Sequence, residues 1–579
     1  MNPAVLDHLT FLYGAAAARA LQPQLEALCS QYAPPLKTRT TALSRKPLTQ
    51  QDALLITYAD QVREPGTPPL RTLAAFTARH LRGLLSGIHL LPFYPSSSDD
   101  GFSVKDFFAV DPAHGAWEDI ARLATDFDLM FDAVFNHVSA QGEWFRGFLA
   151  DDPRYRDFFI TVAGDPDLAR VVRPRALPLL TEFATAAGKK RVWTTFSADQ
   201  ADLNFRKPEV LLAVLEALLF YVRRGARFIR LDAIAFLWKE IGTPCLHLPQ
   251  THRVVRLLRA VLDEVAPQVR LITETNVPHL DNISYFGDGT NEAQLVYNFP
   301  LPPLVLHSLT TGSAAALTRW AQSLTLPSPH TTFFNFLASH DGIGLNPVRG
   351  ILTDAEIDTL VARARDHGGF VSDKHLPDGS RLPYELNLSY LDALSDPRAC
   401  EPPSLAARRF LVAHAILLSL QGMPGIYFHS LFGSRGDRQG AEASGIPRRI
   451  NRQKLDRADL ERELADPSSL RARVFGGLRQ LLAVRRGCRA FAPAGAQEVL
   501  SLDDRVFAVV RLPTGGGAPV LCLHNVSPEP VAVRLPAGGR FGPGPWLALA
   551  TPAPSVTSIA EPALRLTPHE WLWLTTTTD

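Results

Sequence analysis

Ionisable side chains interrupt the apolar segment at residues 228–236, and they are of the types that perform nucleophilic and acid–base chemistry. Arg230 and Asp232 stand two positions apart in it, so both side chains point to the same face if the segment is a β-strand. A buried cation and a buried carboxylate are costly unless they pair or take part in a reaction. A structural ion pair is the simpler explanation of this motif alone, so the choice between a structural and a catalytic role depends on the other motifs.

Three further apolar segments end in polar or ionisable side chains. These residues are Asp132, Asn136, His137, Glu274, His340 and Asp341. If the segments are parallel strands of one barrel, their C-terminal ends converge at one mouth. Three carboxylates beside an arginine suit a retaining glycoside reaction, in which one attacks the anomeric carbon, a second protonates the leaving oxygen and a third stabilises the oxocarbenium-like state. The arginine would lower the pKa of the nucleophile and keep it ionised.

Each of these side chains also has a structural explanation. Asp132 can orient backbone, His137 can be a hydrogen-bonded core histidine, and Asp341 can cap a turn. Buried ionisable groups often have such duties. Their coincidence at the ends of several strands favours a reaction site over separate structural roles.

The elements that would position these residues alternate along the chain. Eight short apolar segments are each followed by a turn and most of them by a stretch with helical apolar spacing, which predicts an α/β fold, a (β/α)8 TIM barrel. The predicted strands are residues 54–60, 87–93, 129–137, 228–234, 271–276, 294–299, 332–341 and 425–430. The barrel is expected to span residues 51–493, with loop-inserted subdomains at 138–206 (domain B) and 342–395 (domain B').

Different patterns flank the barrel. Residues 1–50 are predicted to be an N-terminal helical extension, and residues 494–579 a C-terminal antiparallel β-domain, because short alternating runs there are separated by Pro and Gly turns.

Composition excludes several classes of protein. The net charge of +1 over 579 residues provides no basic field for nucleic acid. The five cysteines form no CxxC pair, which argues against a zinc site or a disulfide framework. The N-terminus lacks the pattern of a signal peptide, and the longest apolar run is shorter than the roughly 20 residues of a membrane helix. We therefore expect a cytoplasmic protein without nucleic-acid or membrane partners.

Short motifs resemble those of glycoside hydrolase family 13, the alpha-amylase family. They are DAVFNH (132–137), RFIRLDA (227–233), ITETN (272–276), LASHD (337–341) and QADLN (200–204). Other segments resemble the sucrose-phosphorylase subfamily, whose members split an α-glucoside with phosphate instead of water. They are LITYAD (55–60), LLPFYPSSSDDGF (90–102), RPRALP (173–178), VWTTFSADQ (192–200) and RRINR (448–452).

The resemblance implies a role for each matching residue. It makes Asp232 the nucleophile, Glu274 the acid/base and Asp341 the transition-state stabiliser. The implied substrate-binding residues are Asp99, Phe102, His137, Phe196, Gln200, Arg230, Asn276, His340, Tyr384 and Arg452, and the implied phosphate-binding residues are Arg173 and Arg175. Inorganic phosphate is expected as a substrate, no cofactor or metal is expected, and a homodimer is left open.

One departure from sucrose phosphorylases bears on the acceptor. Those enzymes follow the acid/base with Val-His, whereas Thr275 and Asn276 follow Glu274 here. With the longer N-terminal extension, this makes the chain look most like the glucosylglycerate phosphorylases of the same subfamily. Arg173, Arg175 and Arg381 are expected near the glycerate carboxylate, to which an Arg fork is suited. Glu385 would repel that carboxylate unless an arginine pairs with it.

The sequence leaves alternatives open. Sucrose, sucrose 6-phosphate and glucosylglycerol remain alternative substrates of a phosphorylase, and glycerol would avoid repulsion by Glu385. An α-glucoside hydrolase or transglucosidase is more remote, as is an inactive barrel scaffold, which should have lost carboxylates that this chain retains.

Overall fold

Eight parallel strands close into a barrel at the centre of the molecule. The computed structural model describes residues 2–42, 47–175, 177–375, 380–535, 546–552, 558–559 and 563–576. The barrel strands are β1 (Leu54–Thr57), β2 (Gly87–Leu90), β3 (Asp128–Ala133), β4 (Ala226–Leu231), β5 (Arg270–Thr273), β6 (Leu295–Tyr297), β7 (Thr332–Asn335) and β8 (Met423–Tyr427). Each pairs with its neighbours in chain order and β8 pairs with β1, so the predicted (β/α)8 barrel is confirmed.

Every barrel strand ends earlier than the sequence predicted. The segment predicted as 332–341, for example, is a strand only over Thr332–Asn335. The apolar pattern continues past the last ladder hydrogen bonds because the loops at this end are themselves buried. Asp232, Glu274 and Asp341 therefore lie beyond the ends of β4, β5 and β7, in the segments that follow these strands at the C-terminal mouth.

Helices surround the barrel. The helix Pro249–Val265 begins with proline, whose fixed φ suits a first turn, and buries Val254, Leu258 and Val261 at helical spacing. The helices are Pro3–Tyr13, Ala15–Ala42, Pro69–Leu81, Trp117–Leu123, Glu143–Leu149, Pro208–Arg223, Pro249–Val265, His279–Ile283, Leu301–Thr311, Ala315–Ser323, Asp354–Asp366, Tyr390–Leu394, Pro403–Ser419, Phe428–Leu431, Arg438–Ser444, Arg457–Ala465 and Leu470–Gly487.

Two long loops carry small sheets of their own. After β3, His137–Ser139 pairs with Gln200–Asp202, and Leu180–Thr185 forms a hairpin with Gly188–Trp193. After β7 comes a three-stranded antiparallel sheet, in which the central strand Arg381–Asn387 lies between two others. Those two strands are Ile343–Gly344 and Phe370–His375; we call these three strands the inserted sheet.

The two ends of the chain pack on the outside of the barrel. In the N-terminal helices, Tyr13 donates its hydroxyl to the Phe205 carbonyl at 2.9 Å. The C-terminal region is antiparallel, as predicted. Its strands are Gln497–Asp503, Val506–Arg511, Val520–Asn525, Trp571–Thr575, Trp546–Ala550 and Ser558–Ile559 in one sheet, and Val531–Arg534 and Ala563–Leu566 in another. Over the described ranges, the chain contains no helix with the length and apolarity that crossing a membrane requires.

Candidate active site

A cavity of about 550 Å³ opens at the C-terminal mouth of the barrel. Thirteen of the fifteen predicted site residues line it, namely Asp99, Phe102, His137, Arg173, Arg175, Phe196, Gln200, Asp232, Glu274, Asn276, His340, Asp341 and Tyr384. The other two, Arg230 and Arg452, lie beneath its surface, and both are almost fully buried. The structure thus brings together side chains that are up to 353 positions apart in the sequence, from Asp99 to Arg452.

A buried chain of ionic contacts holds Asp232. Arg230 Nη1 lies 2.7 Å from Asp232 Oδ1 and also contacts Asp132. His89 Nε2 lies 2.7 Å from the other oxygen of Asp132. Since Arg230 and Asp132 are at matched positions of neighbouring strands, the barrel register itself fixes the guanidinium. Arg230 contacts only Oδ1 of Asp232. The Asp232 side chain lines the cavity, and its Oδ2 is not part of this ion pair.

Glu274 is held by the backbone beside Asp232. The N–H of Ala233 donates to Glu274 Oε2 at 3.1 Å, and Ala233 has a left-handed φ of 48°. Arg230 Nη2 is 3.7 Å from the same oxygen. Burial raises the pKa of Glu274 to about 7, helped by the Asp232 and Asp341 carboxylates and opposed by Arg230. A carboxylic acid with that pKa can donate a proton near neutral pH.

The pKa of Asp232 is raised, whereas the sequence led us to expect that Arg230 would lower it. Burial raises the pKa of Asp232 above its ordinary value, and Arg230 and His137 only oppose this rise. Arg230 nonetheless distinguishes the two carboxyls, because it lies 2.7 Å from Asp232 and 3.7 Å from Glu274. The closer cation favours ionisation of Asp232 and leaves the proton on Glu274, which is the division of roles that retaining chemistry needs.

Asp341 is surrounded by cations. Arg448 Nη1 is 2.8 Å from its Oδ1, and Arg452 Nη2 is 3.6 Å from the same atom. Burial alone would raise the pKa of Asp341, but Arg448, His340 and Arg452 hold it well below the ordinary value. Arg448 is the first residue of the RRINR motif, and the resemblance implied no role for it. Only the fold shows that its side chain reaches the third carboxylate.

Aromatic and amide side chains form the wall of the cavity to which the resemblance assigns substrate binding; we call this wall the glucose side. The Phe102 and His340 rings stack with centroids 4.8 Å apart. His137 Nε2 is 3.0 Å from the Phe102 carbonyl, and Gln200 Nε2 donates to that carbonyl at 3.2 Å. The Phe196 ring lies 5.1 Å from the His137 ring. Such a wall offers apolar faces and polar edges to a sugar ring.

Asp99 and Arg452, both predicted to bind substrate, lie close to a third residue, Asp100. Arg452 Nη1 is 2.7 Å from Asp100 and 3.7 Å from Asp99. Asp99 is closer to Arg175, whose Nη2 donates to it at 2.9 Å. Both aspartates have positive φ. The sequence did not single out Asp100, because which of two adjacent aspartates meets a distant arginine depends on this backbone conformation.

The two arginines expected to bind phosphate have different surroundings. The Arg175 guanidinium lies over the Phe196 ring, with its Cζ 5.6 Å from the ring centroid, and it also donates to Asp99. Arg173 donates to the Leu177 carbonyl. Both line the cavity, but Arg175 is directed towards its glucose side here.

Glu385, which follows Tyr384, was expected to repel an anionic acceptor unless an arginine paired with it. Arg448 donates to both oxygens of Glu385, at 2.9 and 2.6 Å, so an arginine does pair with this carboxylate. Arg381 was expected near the acceptor, but it is exposed and does not line the cavity. The expectation that Arg381 reaches the acceptor is therefore wrong.

Asn276, which follows the predicted acid/base by two positions, lines the cavity. Its side chain packs against Gly344, where an added Cβ would come within 2.8 Å of the amide. Among the described residues, no donor meets its buried Oδ1. An acceptor oxygen without a donor at the cavity is available to a substrate hydroxyl.

An ammonium group occupies the polar cluster below the mouth. Lys239 Nζ is 2.5 Å from Asp202 and 2.7 Å from Asn136 Oδ1, and Asn136 donates to Asp202 at 3.1 Å. In the parts of the chain that the structure describes, no three His, Cys, Asp or Glu side chains form a group that could hold a metal ion.

Comparison with known proteins agrees with this geometry. The family described as alpha amylase, catalytic domain, matches residues 81–343. The chain is 56% identical to glucosylglycerate phosphorylase of Allomeiothermus silvanus over 94% of this chain and 96% of that one. It is 47% identical to the Escherichia coli glucosylglycerate phosphorylase over 91% and 93%, and 32% identical to the Agrobacterium vitis sucrose phosphorylase over 71% and 84%.

A solved structure has the same fold. The sucrose 6F-phosphate phosphorylase from Thermoanaerobacter thermosaccharolyticum superposes with a TM-score of 0.72 at 24% identity, covering 83% of this chain and 95% of that one.

Proposed function

The chain belongs to the alpha-amylase family, glycoside hydrolase family 13, and from that membership we propose that it transfers glucose from 2-O-α-glucosylglycerate to phosphate. The products are α-glucose 1-phosphate and glycerate. The enzyme is thus a glycosyltransferase of the α-glucoside phosphorylase type. Its substrates are a small glucoside and inorganic phosphate.

In the first displacement, Asp232 is the nucleophile and Glu274 the acid. Asp232 attacks the anomeric carbon while Glu274 gives its proton to the glycosidic oxygen, so glycerate leaves and a covalent β-glucosyl ester forms. The raised pKa of Glu274 supports the acid role. Asp341, kept ionised by Arg448 and Arg452, would stabilise positive charge on the sugar as the bond breaks.

In the second displacement, phosphate replaces glycerate in the acceptor subsite. A phosphate oxygen attacks the anomeric carbon, the ester bond to Asp232 breaks, and Glu274 takes the phosphate proton. Two inversions retain the α configuration. Arg175 and Arg173 are our candidates to bind the incoming phosphate, since guanidinium groups can bind phosphate through two parallel hydrogen bonds.

The preference for glycerate over glycerol rests on charge. Glu385 would oppose an anionic acceptor, but its two oxygens are both bonded to Arg448. The repulsion between Glu385 and an acceptor carboxylate, which had made glycerol an alternative to glycerate, is therefore offset by Arg448. The alternative phosphorylase substrates sucrose, sucrose 6-phosphate and glucosylglycerol correspond to more distant relatives, at 26–32% identity.

The observation that carries the proposal is 56% identity to a glucosylglycerate phosphorylase over 94% of the chain. The test is synthesis from α-glucose 1-phosphate with glycerate, glycerol, fructose or fructose 6-phosphate at equal concentration. We expect the highest kcat/KM with glycerate. A higher value with another acceptor would contradict the acceptor assignment. Release of free glucose at the same rate with and without phosphate would contradict phosphorolysis.

A further inference from the structure

Two cations at the outer wall of the cavity have no part in the mechanism above. Lys374 is on a strand of the inserted sheet, and Arg349 follows the short helix Asn346–Val348. Both line the cavity, as does Asn346. Lys374 Nζ donates to Asn346 Oδ1 at 3.0 Å, and Arg349 Nη2 donates to the Pro383 carbonyl at 2.9 Å.

The other cations at the mouth already contact carboxylates or carbonyls. Arg448 is shared between Asp341 and Glu385, and Arg175 is bonded to Asp99. Lys374 differs, because no carboxylate of the described residues lies within ion-pair distance of it. The neighbouring Asp373 also lines the cavity, but among the described residues it forms no ion pair with Lys374.

The guanidinium of Arg349 uses only part of its hydrogen-bonding capacity. Its nearest carboxylate, Asp354, is 3.6 Å away and almost wholly exposed, so water screens that contact. Among the described residues, its buried Nε meets no hydrogen-bond acceptor. A buried guanidinium nitrogen without an acceptor is costly, and an anion in the cavity would supply one.

The two cations also destabilise each other. Burial lowers the pKa of Lys374, and the charge of Arg349 lowers it further. A negative group that binds between or beside them would relieve both effects, since an opposite charge favours the charged form. Without such a group, the Lys374 ammonium donates a hydrogen bond to the Asn346 side-chain oxygen at the cavity wall.

We propose that Lys374 and Arg349 form a subsite for the carboxylate of the acceptor, separate from the arginines that bind phosphate. The inference rests on the proposed function, because it assumes an anionic acceptor in this cavity. Asn276 lines the same cavity and offers an acceptor oxygen for a hydroxyl. A three-carbon hydroxy acid would then be held at its hydroxyl and at its carboxylate.

The test compares glycerate with glycerol as acceptors in synthesis from α-glucose 1-phosphate. These acceptors have similar size and differ in the carboxylate. We expect Lys374→Gln to lower the ratio of kcat/KM for glycerate to that for glycerol at least about tenfold, since a charge-assisted bond is lost. Arg349→Gln should lower the ratio in the same direction, and Lys374→Arg should restore most of it. Arg381→Gln, a cation of the same sheet outside the cavity, is the matched control.

Each other outcome would overturn the inference. Equal losses with both acceptors would make the two residues structural. A rise confined to the phosphate KM of phosphorolysis would assign them to phosphate. A wild-type enzyme that prefers fructose or glycerol would contradict the proposed function itself, whereas a wild-type preference for glycerate with an unchanged ratio in all three variants would refute only this subsite.

Discussion

At the residue scale, the environment of each carboxyl decides its role. Glu274 must be protonated in the first displacement, and its pKa lies at about 7. We therefore expect kcat/KM for glucosylglycerate to fall as pH rises through about 7, because the acid is lost. At saturating phosphate this constant reports only the first displacement, so the titration of phosphate itself does not enter.

A donor with a good leaving group distinguishes the loss of the Glu274 proton from other effects of pH. α-Glucosyl fluoride needs little help from an acid, so its kcat/KM should lack the alkaline fall. Glu274→Gln should reduce turnover of glucosylglycerate far more than that of the fluoride. The same alkaline fall with both donors would place the titrating group elsewhere.

Asp232 has no substitute in the site. Its replacement in Asp232→Ala removes the group that forms the glucosyl ester, so we expect activity to disappear with every donor. Product analysis by NMR should give only the α anomer of glucose 1-phosphate from wild type. A variant that retained a tenth of the activity, or a β product, would contradict the double displacement.

Arg175 is predicted to act on phosphate. Arg175→Ala should raise the phosphate KM at least about tenfold, since a charge-assisted bond contributes about 1.5–3 kcal/mol. Because Arg175 also bonds Asp99, the variant reports on the glucose side as well, and the KM for the donor should be measured in parallel. An unchanged phosphate KM would assign Arg175 to Asp99 alone.

The residue pattern alone predicts the site residues that stand at strand ends, whereas the predicted residues that lie on loops rest on the family resemblance. The three carboxylates and Arg230 are at the ends of periodic apolar segments, so the fold class alone brings them together. Arg448 and Lys374 meet the cavity only because an inserted sheet and a distant turn fold over it. No local pattern encodes those contacts, and the same holds for the choice between Asp99 and Asp100.

At the scale of elements, Lys239 joins the first inserted loop to the barrel. Its ammonium is 2.5 Å from Asp202, and both side chains are almost fully buried. Lys239→Met would leave that carboxylate buried without a cation, which costs about 3–5 kcal/mol. We expect a large fall in the melting temperature and a loss of activity, since His137 and Gln200 flank the strands concerned.

Lys207 provides the matched control. It pairs with Asp157 at 2.8 Å but both side chains are exposed, at 41% and 59%. Lys207→Met should change the melting temperature little, because exposed pairs contribute about 0–1 kcal/mol. Addition of EDTA should not change the melting temperature of wild type, since the ammonium already neutralises Asp202. A fall on EDTA treatment would indicate a structural metal.

At the scale of the whole molecule, buried arginines join the C-terminal sheet to the barrel. Arg511 is fully buried on the strand Val506–Arg511. It donates to the carbonyls of Ser419 at 3.0 Å, Ala492 at 2.8 Å and Gly495 at 3.2 Å. The antiparallel region was evident from its alternating pattern, but an arginine within a strand gave no sign that it would cap a barrel helix.

Arg511→Met tests whether the C-terminal region and the barrel unfold together. The change removes the Arg511 bond to the buried Ser419 carbonyl, at a cost of about 1–3 kcal/mol, so the melting temperature should fall. The carbonyls of Ala492 and Gly495 each lose one donor but keep another, the Gly495 N–H and the Gln421 side-chain amide respectively. Arg534→Met, at an exposed position of the same region, should have little effect. If the two parts form one cooperative unit, activity and near-UV circular dichroism will be lost in the same transition in both variants. A variant that loses the C-terminal signal first, with activity intact, would show that the barrel holds its site without this support.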